Sequence, residues 1–365
     1  MKIAFIGQKG IPAKNGGVER HVQFLSVQLK NLGHEVLVYN RRGYTPVKLK
    51  DFDGVQLLYK PFINQKNLAN ITHTFFSSLD VLRRRPDVIH YHGVGPSLLL
   101  WLPKVFCPRA KLVATLHSFD YDNEKWSRFA KLMLRLGEKM MFKLADAVIV
   151  LTPTTQEYAR KKYGRECFLI PNGTELGREQ AETALKFWGL SKGSYIFSAS
   201  RLIKLKGLQY LIPAFKHLNT DKKLVIAGDG EYEEELKKFA AGDQRIIFIG
   251  NQEGEALRQL YANAYLFAQT SEMEGLSLSL LEAMGHGSTC LASDIPGNRE
   301  ALADTGFFFR SRDERDLEVK LNYILEHPEE AQAKALAAYE RACREYDWRQ
   351  VAAKTLASYQ SLLKQ

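Results

Sequence analysis

A chain of 365 residues exceeds what one hydrophobic core usually organises, so two domains are expected before any motif is read. Its 45% hydrophobic and 25% charged residues are those of an ordinary globular protein; no run of about 18 apolar residues occurs, and MKIAFIGQKG turns to glycine too soon for a signal peptide, so a cytoplasmic protein without a membrane span is expected. Net charge is +10 but unevenly held: residues 1–170 carry 27 Lys and Arg against 13 Asp and Glu, residues 171–365 carry 24 against 28, and the basic first half suits an anionic partner such as nucleic acid, anionic lipid or a phosphorylated substrate.

The first apolar run, Ile3 to Ile6, opens into GQKGIPAKNGGVERHV at 7–22. A dinucleotide fingerprint needs GxGxxG here and a triphosphate loop needs GxxxxGK with Ser or Thr; neither spacing occurs. What remains is Asn15-Gly16-Gly17 at the mouth of a helix, either an anion site built from free N–H groups or a plain glycine cap. Val18, Val22, Leu25, Leu29 and Leu32 follow helical spacing, which puts Glu19 and His21 on the first turn and a half, bordering the same end of the strand.

HEVLVYN, VQLLYK, DVIHYHG, KLVATLH, AVIVLT and CFLIPNG then recur every 20–30 residues with helical patterns between most of them, the signature of a parallel sheet covered on both faces. HEVLVYN runs into Arg41 and Arg42 rather than the acidic residue that grips a ribose hydroxyl. His92 and His117 end neighbouring strands, where a histidine is either structural or faces a ligand. Arg83, Arg84 and Arg85 end a helix and complement its dipole. In residues 124–145, basic residues at 125, 128, 131, 135, 139 and 143 cover an arc of about 120° beside Trp126, Phe129, Met133, Leu136 and Met140. Such a helix either lies on anionic lipid or buries its apolar side and solvates its basic one.

A boundary is expected at PNGTELG, 171–177, after which YIFSAS, KLVIAG, RIIFIG, YLFAQTS, STCLASD and GFFF repeat the rhythm. Two doubly wound units in tandem follow, with ligands at the carboxyl ends of the strands. After YIFSAS, Arg201 and Lys206 combine a guanidinium fork with a point charge, a pairing that suits a diphosphate. Within SEMEGLSLSLLEAMGHGSTCLASD, Glu274 precedes a helix expected to start near Ser277, and Glu282 lies about one and a half turns inside it, so the two reach different parts of one extended ligand rather than flanking one bond. A last helix from Asp347 has no following strand and must dock on something already built. Cys107, Cys167, Cys290 and Cys343 show no close spacing, which argues against a zinc knuckle, a redox pair or a disulfide framework; no metal-ligand cluster is legible, and no recognition motif of a nucleic-acid module occurs.

Taken together, EGLSLSLLEAM, RLIKLKGLQYLIPAF, the PNG at 171–173, NGGVERHV and the terminal YDWRQVAAKTLASYQSLL resemble the family 4 retaining glycosyltransferases of GT-B fold, over nearly the whole chain. The resemblance implies two Rossmann-like domains facing a central cleft. Residues 1–172, with a returning helix at 347–365, would bind the acceptor, and residues 173–346 would bind a nucleotide-sugar donor linked to UDP, GDP or dTDP. It implies that Glu274 contacts the donor sugar with the backbone of Gly275, Leu276 and Ser277, that Glu282 holds the ribose, and that Arg201 and Lys206 hold the diphosphate, which Gly16 and Gly17 approach. It implies that His117 lies near the reacting sugar; His92, Glu19 and His21 are expected on the acceptor side. One glycine of the family pattern is replaced in IPGNRE, so Glu300 receives no role. Transfer would retain anomeric configuration without a metal or other cofactor. The expected acceptor is a glycan or lipid-linked molecule at the inner face of an anionic plasma membrane. A nucleotide-sugar epimerase on the same fold and a non-catalytic anion-binding protein are the alternatives; nucleic acid is not an expected partner.

Overall fold

The computed structural model of the protein describes residues 1–14, 16–45, 47–65, 68–118, 127–177 and 181–364. Asn15 of the opening loop, and Lys125 and Trp126 of the basic segment, lie outside the described residues. The chain forms two compact units, residues 1–172 with 348–365, and residues 173–347.

The first unit runs β1 (Lys2–Ile6), α1 (Gly17–Asn31), β2 (Glu35–Arg41), β3 (Asp51–Phe52), β4 (Val55–Lys60), α2 (Ala69–Arg84), β5 (Val88–His92), α3 (Val94–Ser97), α4 (Trp101–Phe106), β6 (Lys111–Leu116), α5 (Arg128–Leu144), β7 (Ala147–Val150), α6 (Pro153–Tyr163) and β8 (Phe168–Leu169). Its sheet has the order β3-β4-β2-β1-β5-β6-β7-β8. All neighbours are parallel except β3 and β4, a two-residue antiparallel edge turned at Asp53-Gly54 that the strand pattern does not reveal. The central strands are buried throughout, as expected when helices cover both faces of a parallel sheet. Their core joins Ala4, Ile6, Tyr39, Ile89, Leu112 and Met141. In α1, Val22, Leu25 and Leu29 pack inward, but Leu32 is the C-cap residue and 49% exposed, so the apolar stripe ends one turn earlier than its spacing suggests.

The second unit runs β9 (Tyr195–Ala199), α7 (Leu208–Lys216), β10 (Lys223–Ala227), α8 (Glu233–Ala240), β11 (Ile246–Phe248), α9 (Gly254–Ala262), β12 (Leu266–Gln269), α10 (Leu278–Gly285), β13 (Cys290–Ser293), α11 (Pro296–Leu302), β14 (Phe307–Phe309), α12 (Glu314–Glu326) and α13 (Pro328–Glu345). All pairs in its sheet, β11-β10-β9-β12-β13-β14, are parallel.

The last helix, α14 (Trp348–Leu363), returns to the first unit and answers the docking question. Trp348 stacks on Phe24 of α1 at 5.5 Å, and the Tyr359 hydroxyl meets Nδ1 of His90 on β5 at 2.6 Å. Trp348, Tyr359 and His90 are all buried, so the helix adds core and a satisfied polar pair together. The four cysteines are free thiols, and no helix among the described residues is long and apolar enough to cross a membrane.

Candidate active site

In the first unit, the turn after β1 is held by side chains rather than left open. Lys9 N donates to Glu19 Oε1 at 2.9 Å, Ile11 N to Asn40 Oδ1 at 3.0 Å, Ala13 N to Gln23 Oε1 at 2.6 Å and Lys14 N to the Tyr44 hydroxyl at 3.1 Å. Those N–H groups are therefore not available to a phosphate, which leaves the Gly16-Gly17 helix mouth as the place in this loop where an anion could be met. Only the helix mouth remains: Gly16 is the N-cap at φ 101 with no side-chain cap, and Gly17 opens α1. A Cβ on Gly16 would lie 2.2 Å from Glu19 Oε2, so glycine is required there on both counts. Glu19, expected on the acceptor side, lies in the first turn of α1, is 6% exposed and braces this loop through Lys9 N.

Three expected site residues do meet. His21 comes from α1, His92 from the end of β5 and His117 from just beyond β6, and one ligand nitrogen from each lies within 4.8 Å of the others. Parallel neighbours β5 and β6 end together, which brings His92 Nδ1 to 3.0 Å from His117 Nε2. The His21 ring stands edge-on to His117 at 4.8 Å and to Trp348 at 5.4 Å, and its Nδ1 meets Asn172 Oδ1 at 2.9 Å. Burial lowers His21 to about 4, against the upward pull of Asn172, and lowers His92 and His117 well below the usual histidine value, helped by the neighbouring imidazoles. All three are neutral at neutral pH. The buried Nε2 atoms of His21 and His92 have no hydrogen-bond partner among the described residues. His90, between them and α14, has both nitrogens used, by Tyr359 and by Thr115 Oγ1 at 2.7 Å. The cluster is not legible in the sequence because its members are separated by 71 and 25 positions, and Asn172 stood out there only as part of the PNG at the domain boundary.

In the second unit, the segment 270–277 leaves β12 and reaches α10. Lys206 lies in a short 3-10 turn whose carbonyl accepts from Thr270 Oγ1 at 2.9 Å, while Leu205 O accepts from Glu272 N at 2.9 Å. Gly207 makes this docking feasible, since a Cβ there would lie 1.9 Å from Thr270 O. The two segments bring Lys206 Nζ to 2.5 Å from Glu274 Oε1. The same oxygen accepts from Gln269 Nε2 at 2.9 Å and Ser271 Oγ at 2.7 Å. One carboxylate oxygen is thus fixed by three donors, and its ammonium partner is the residue expected on the diphosphate. Arg201 is exposed after β9, with no side-chain partner among the described residues.

Helix α10 begins at Leu278 with Ser277 as its N-cap, where the Glu-to-Glu spacing placed it; Ser277 makes no side-chain cap bond, and the first-turn N–H groups lack partners within the helix. Glu282 is 8% exposed inside it. Gly275 packs against α11: a Cβ on Gly297 would lie 1.9 Å from Gly275 O and 2.7 Å from Glu274 O. Asn298 donates to Ser293 O and Oγ at 3.0 Å, and Ser293 Oγ to Ser271 O at 2.5 Å, tying α11 to the loop that holds Glu274. Gln269, Ser271 and Gly297 were not singled out in the sequence; the IPG between strand and helix was the available signal for the last. Glu300 is raised by burial, and its main-chain oxygen takes Arg341 at 3.0 Å.

Two doubly wound parallel sheets with basic and acidic residues gathered after their strands define the GT-B class of sugar-transferring enzymes. The solved structure of sucrose-phosphate synthase from Thermosynechococcus elongatus superposes with a TM-score of 0.85 at 22% identity, covering 100% of this chain and 99% of that one, which shows the fold. Residues 15–178 match the family described as Glycosyltransferase Family 4, and residues 182–341 match Glycosyl transferases group 1. Among curated relatives, a phosphatidylinositol N-acetylglucosaminyltransferase chain of Arabidopsis thaliana is 24% identical over 96% of this chain and 79% of its own length. The phosphatidyl-myo-inositol mannosyltransferase of Mycolicibacterium smegmatis is 25% identical over 95% of this chain and 90% of its own. The chain belongs to the family 4 glycosyltransferases, enzymes that transfer a sugar from a nucleotide sugar.

Proposed function

We propose that this enzyme is a retaining hexosyltransferase that glycosylates a lipid-linked or glycan acceptor at an anionic membrane surface, using a UDP-, GDP- or dTDP-linked donor. The donor is bound by the second unit and the acceptor by the first. The observation that carries the reading is the Glu274 carboxylate, held through one oxygen by Lys206, Gln269 and Ser271 beside the first-turn N–H groups of α10. Its second oxygen is the acceptor for sugar hydroxyls, and Glu282 on the same helix takes the ribose. Lys206 stands between two anions, Glu274 and the arriving diphosphate. With Arg201 it stabilises the charge that grows on the departing nucleoside diphosphate, so transfer requires no metal. The diphosphate oxygen accepts the proton of the attacking hydroxyl on the same face of the sugar, which retains configuration without a covalent enzyme intermediate. His117, neutral, is assigned the role of a hydrogen-bonding group for the reacting sugar, and the His92 and His21 rings pack against it.

The membrane reading rests on the first unit's surface. α5 buries Gly137, Glu138, Met141 and Phe142, yet Phe129 is 71% exposed beside Leu132 and Leu136. Adjacent α4 exposes Trp101, Val105 and Phe106. Exposed Arg128, Arg135, Lys139 and Lys143 share the outer arc of α5. An apolar patch rimmed by cations fits a bilayer with anionic headgroups. Both relatives described above have phosphatidylinositol in their names, which supports a lipid acceptor.

Incubation with UDP-, GDP- and dTDP-sugars and a polyprenyl-phosphate or phosphatidylinositol acceptor tests the reading. Release of nucleoside diphosphate with a new glycoside of unchanged anomeric configuration is expected. Inversion overturns the stereochemical assignment, an altered donor sugar without release indicates an epimerase, and no thermal stabilisation by any donor overturns the donor site.

A further inference from the structure

We propose that His21, His92 and His117 form a site for a divalent transition metal of the zinc class, and that its occupation silences transfer by taking the His117 imidazole. The three side chains come from a helix and two adjoining strand ends, and their ligand nitrogens already lie within 4.8 Å of one another. His92 Nδ1 and His117 Nε2 are 3.0 Å apart, close to the nitrogen–nitrogen edge of about 3.3 Å that a tetrahedral ion with bonds of about 2.0 Å requires. His21 is set up as a metal-ligating histidine is. Its Nδ1 is bonded to Asn172 Oδ1, which puts the proton there and leaves Nε2 with a lone pair; that nitrogen is buried and has no partner among the described residues. A buried ring nitrogen without a partner among the described residues calls for an absent ligand.

The donor set selects the ion. Imidazoles alone suit zinc, cobalt, nickel or copper and do not suit magnesium or calcium, which take oxygen. A neutral imidazole keeps its single proton and carries it on the nitrogen the metal does not take. Occupation therefore breaks the His92–His117 hydrogen bond without net proton release. His117 is the less buried member and gives access from solvent, and three protein ligands leave a fourth position for water. Catalysis needs no metal, so the ion acts as an inhibitor; this consequence rests on the transferase reading above.

The test uses the full chain, stripped with a chelator and titrated with Co2+ as the spectroscopic probe and Zn2+ as competitor. One Co2+ per chain with the intense visible absorption of a tetrahedral site is expected, displaced by Zn2+. His21→Gln should abolish it, and Asn172→Leu should weaken affinity about 10- to 100-fold, while the surface double variant His217→Gln, His327→Gln leaves it unchanged. If His21→Gln does not fold, Asn172→Leu decides alone. No saturable binding, or binding unchanged in Asn172→Leu, overturns the site. Zn2+ at one equivalent should also stop donor turnover, with recovery on chelation; full turnover with the site loaded overturns the inhibitory role. Co2+ binding in a preparation that turns over no donor leaves the site standing and counts against the transferase reading instead.

Discussion

His117 Nε2 and His92 Nδ1 face each other at 3.0 Å across the ends of two adjoining parallel strands, and a third imidazole, His21, stands edge-on to the first. Their neutrality is a property of burial, and burial has a cost that appears when protons are added.

His21 and His73 are both pushed down to about 4, mainly by burial, with the Arg41 charge helping at His73. An unfolded histidine takes its proton near pH 6.5, so the unfolded chain binds more protons between pH 6.5 and about 4. Stability is full above pH 6.5, falls as pH drops through that window and levels below it, by roughly 3 kcal/mol for each group. Urea midpoints at pH 7.5, 6 and 5 should fall steadily. A flat profile would show that these rings take their protons in the folded protein as readily as in the unfolded chain.

Gly297 lies against the segment that presents Glu274. Gly297→Ala places a methyl 1.9 Å from Gly275 O, and backbone must move to admit it. A loss of about 1–3 kcal/mol in stability, with weakened donor binding, is expected; thermal melts with and without nucleoside diphosphate read both. Wild-type melting would mean that α11 is free to shift.

Lys206 and Glu274 share one ion pair, but the proposed function assigns them to different steps. Glu274→Gln keeps the hydrogen-bond geometry and removes the charge, so kcat should fall about 100- to 1,000-fold with little change in nucleoside diphosphate affinity. Lys206→Met should weaken that affinity as well as turnover. Steady-state kinetics with calorimetry separates the two, and equal loss of both quantities in Glu274→Gln would remove its assigned role.

Phe106 and Phe129 project from α4 and α5 into solvent at 62% and 71% exposure. Replacing both with Asp should leave the melting temperature within a degree or two and sharply reduce co-sedimentation with phosphatidylglycerol vesicles. Neutral phosphatidylcholine vesicles should bind weakly in either case, and high salt should release the wild type. Equal binding to both vesicle types would mean that the basic rim plays no part.

The strands were legible because parallel, doubly covered strands are continuous apolar runs, and KIAFI, DVIHYHG and YIFSAS all form where those runs lie. The start of α10 was legible too, since Ser277 stands as an N-cap type of residue between Gly275 and the apolar run from Leu278. The antiparallel β3 was not, because two residues beside an Asp-Gly turn leave no period to read. Nor were the meetings at long sequence distance: Lys206 with Glu274, or the three histidines, depend on which strands lie side by side. Local spacing is silent on that order. Glu19 shows the same limit from the other side, since its helical position was readable but its bond to Lys9 N depends on how the loop folds back.

The bond between His90 and Tyr359 joins two parts of the first unit with the whole second unit between them in the chain. During synthesis at about 5–20 residues per second, the sheet of the first unit therefore waits on the order of ten seconds or more for its last covering helix. Throughout that interval the His90 imidazole lacks one partner, and the faces of α1 and β6 that α14 later covers stand open. The second unit, drawn from one uninterrupted stretch, has no such delay. The order of maturation on the ribosome is thus the reverse of the order of translation: the unit begun first is finished last.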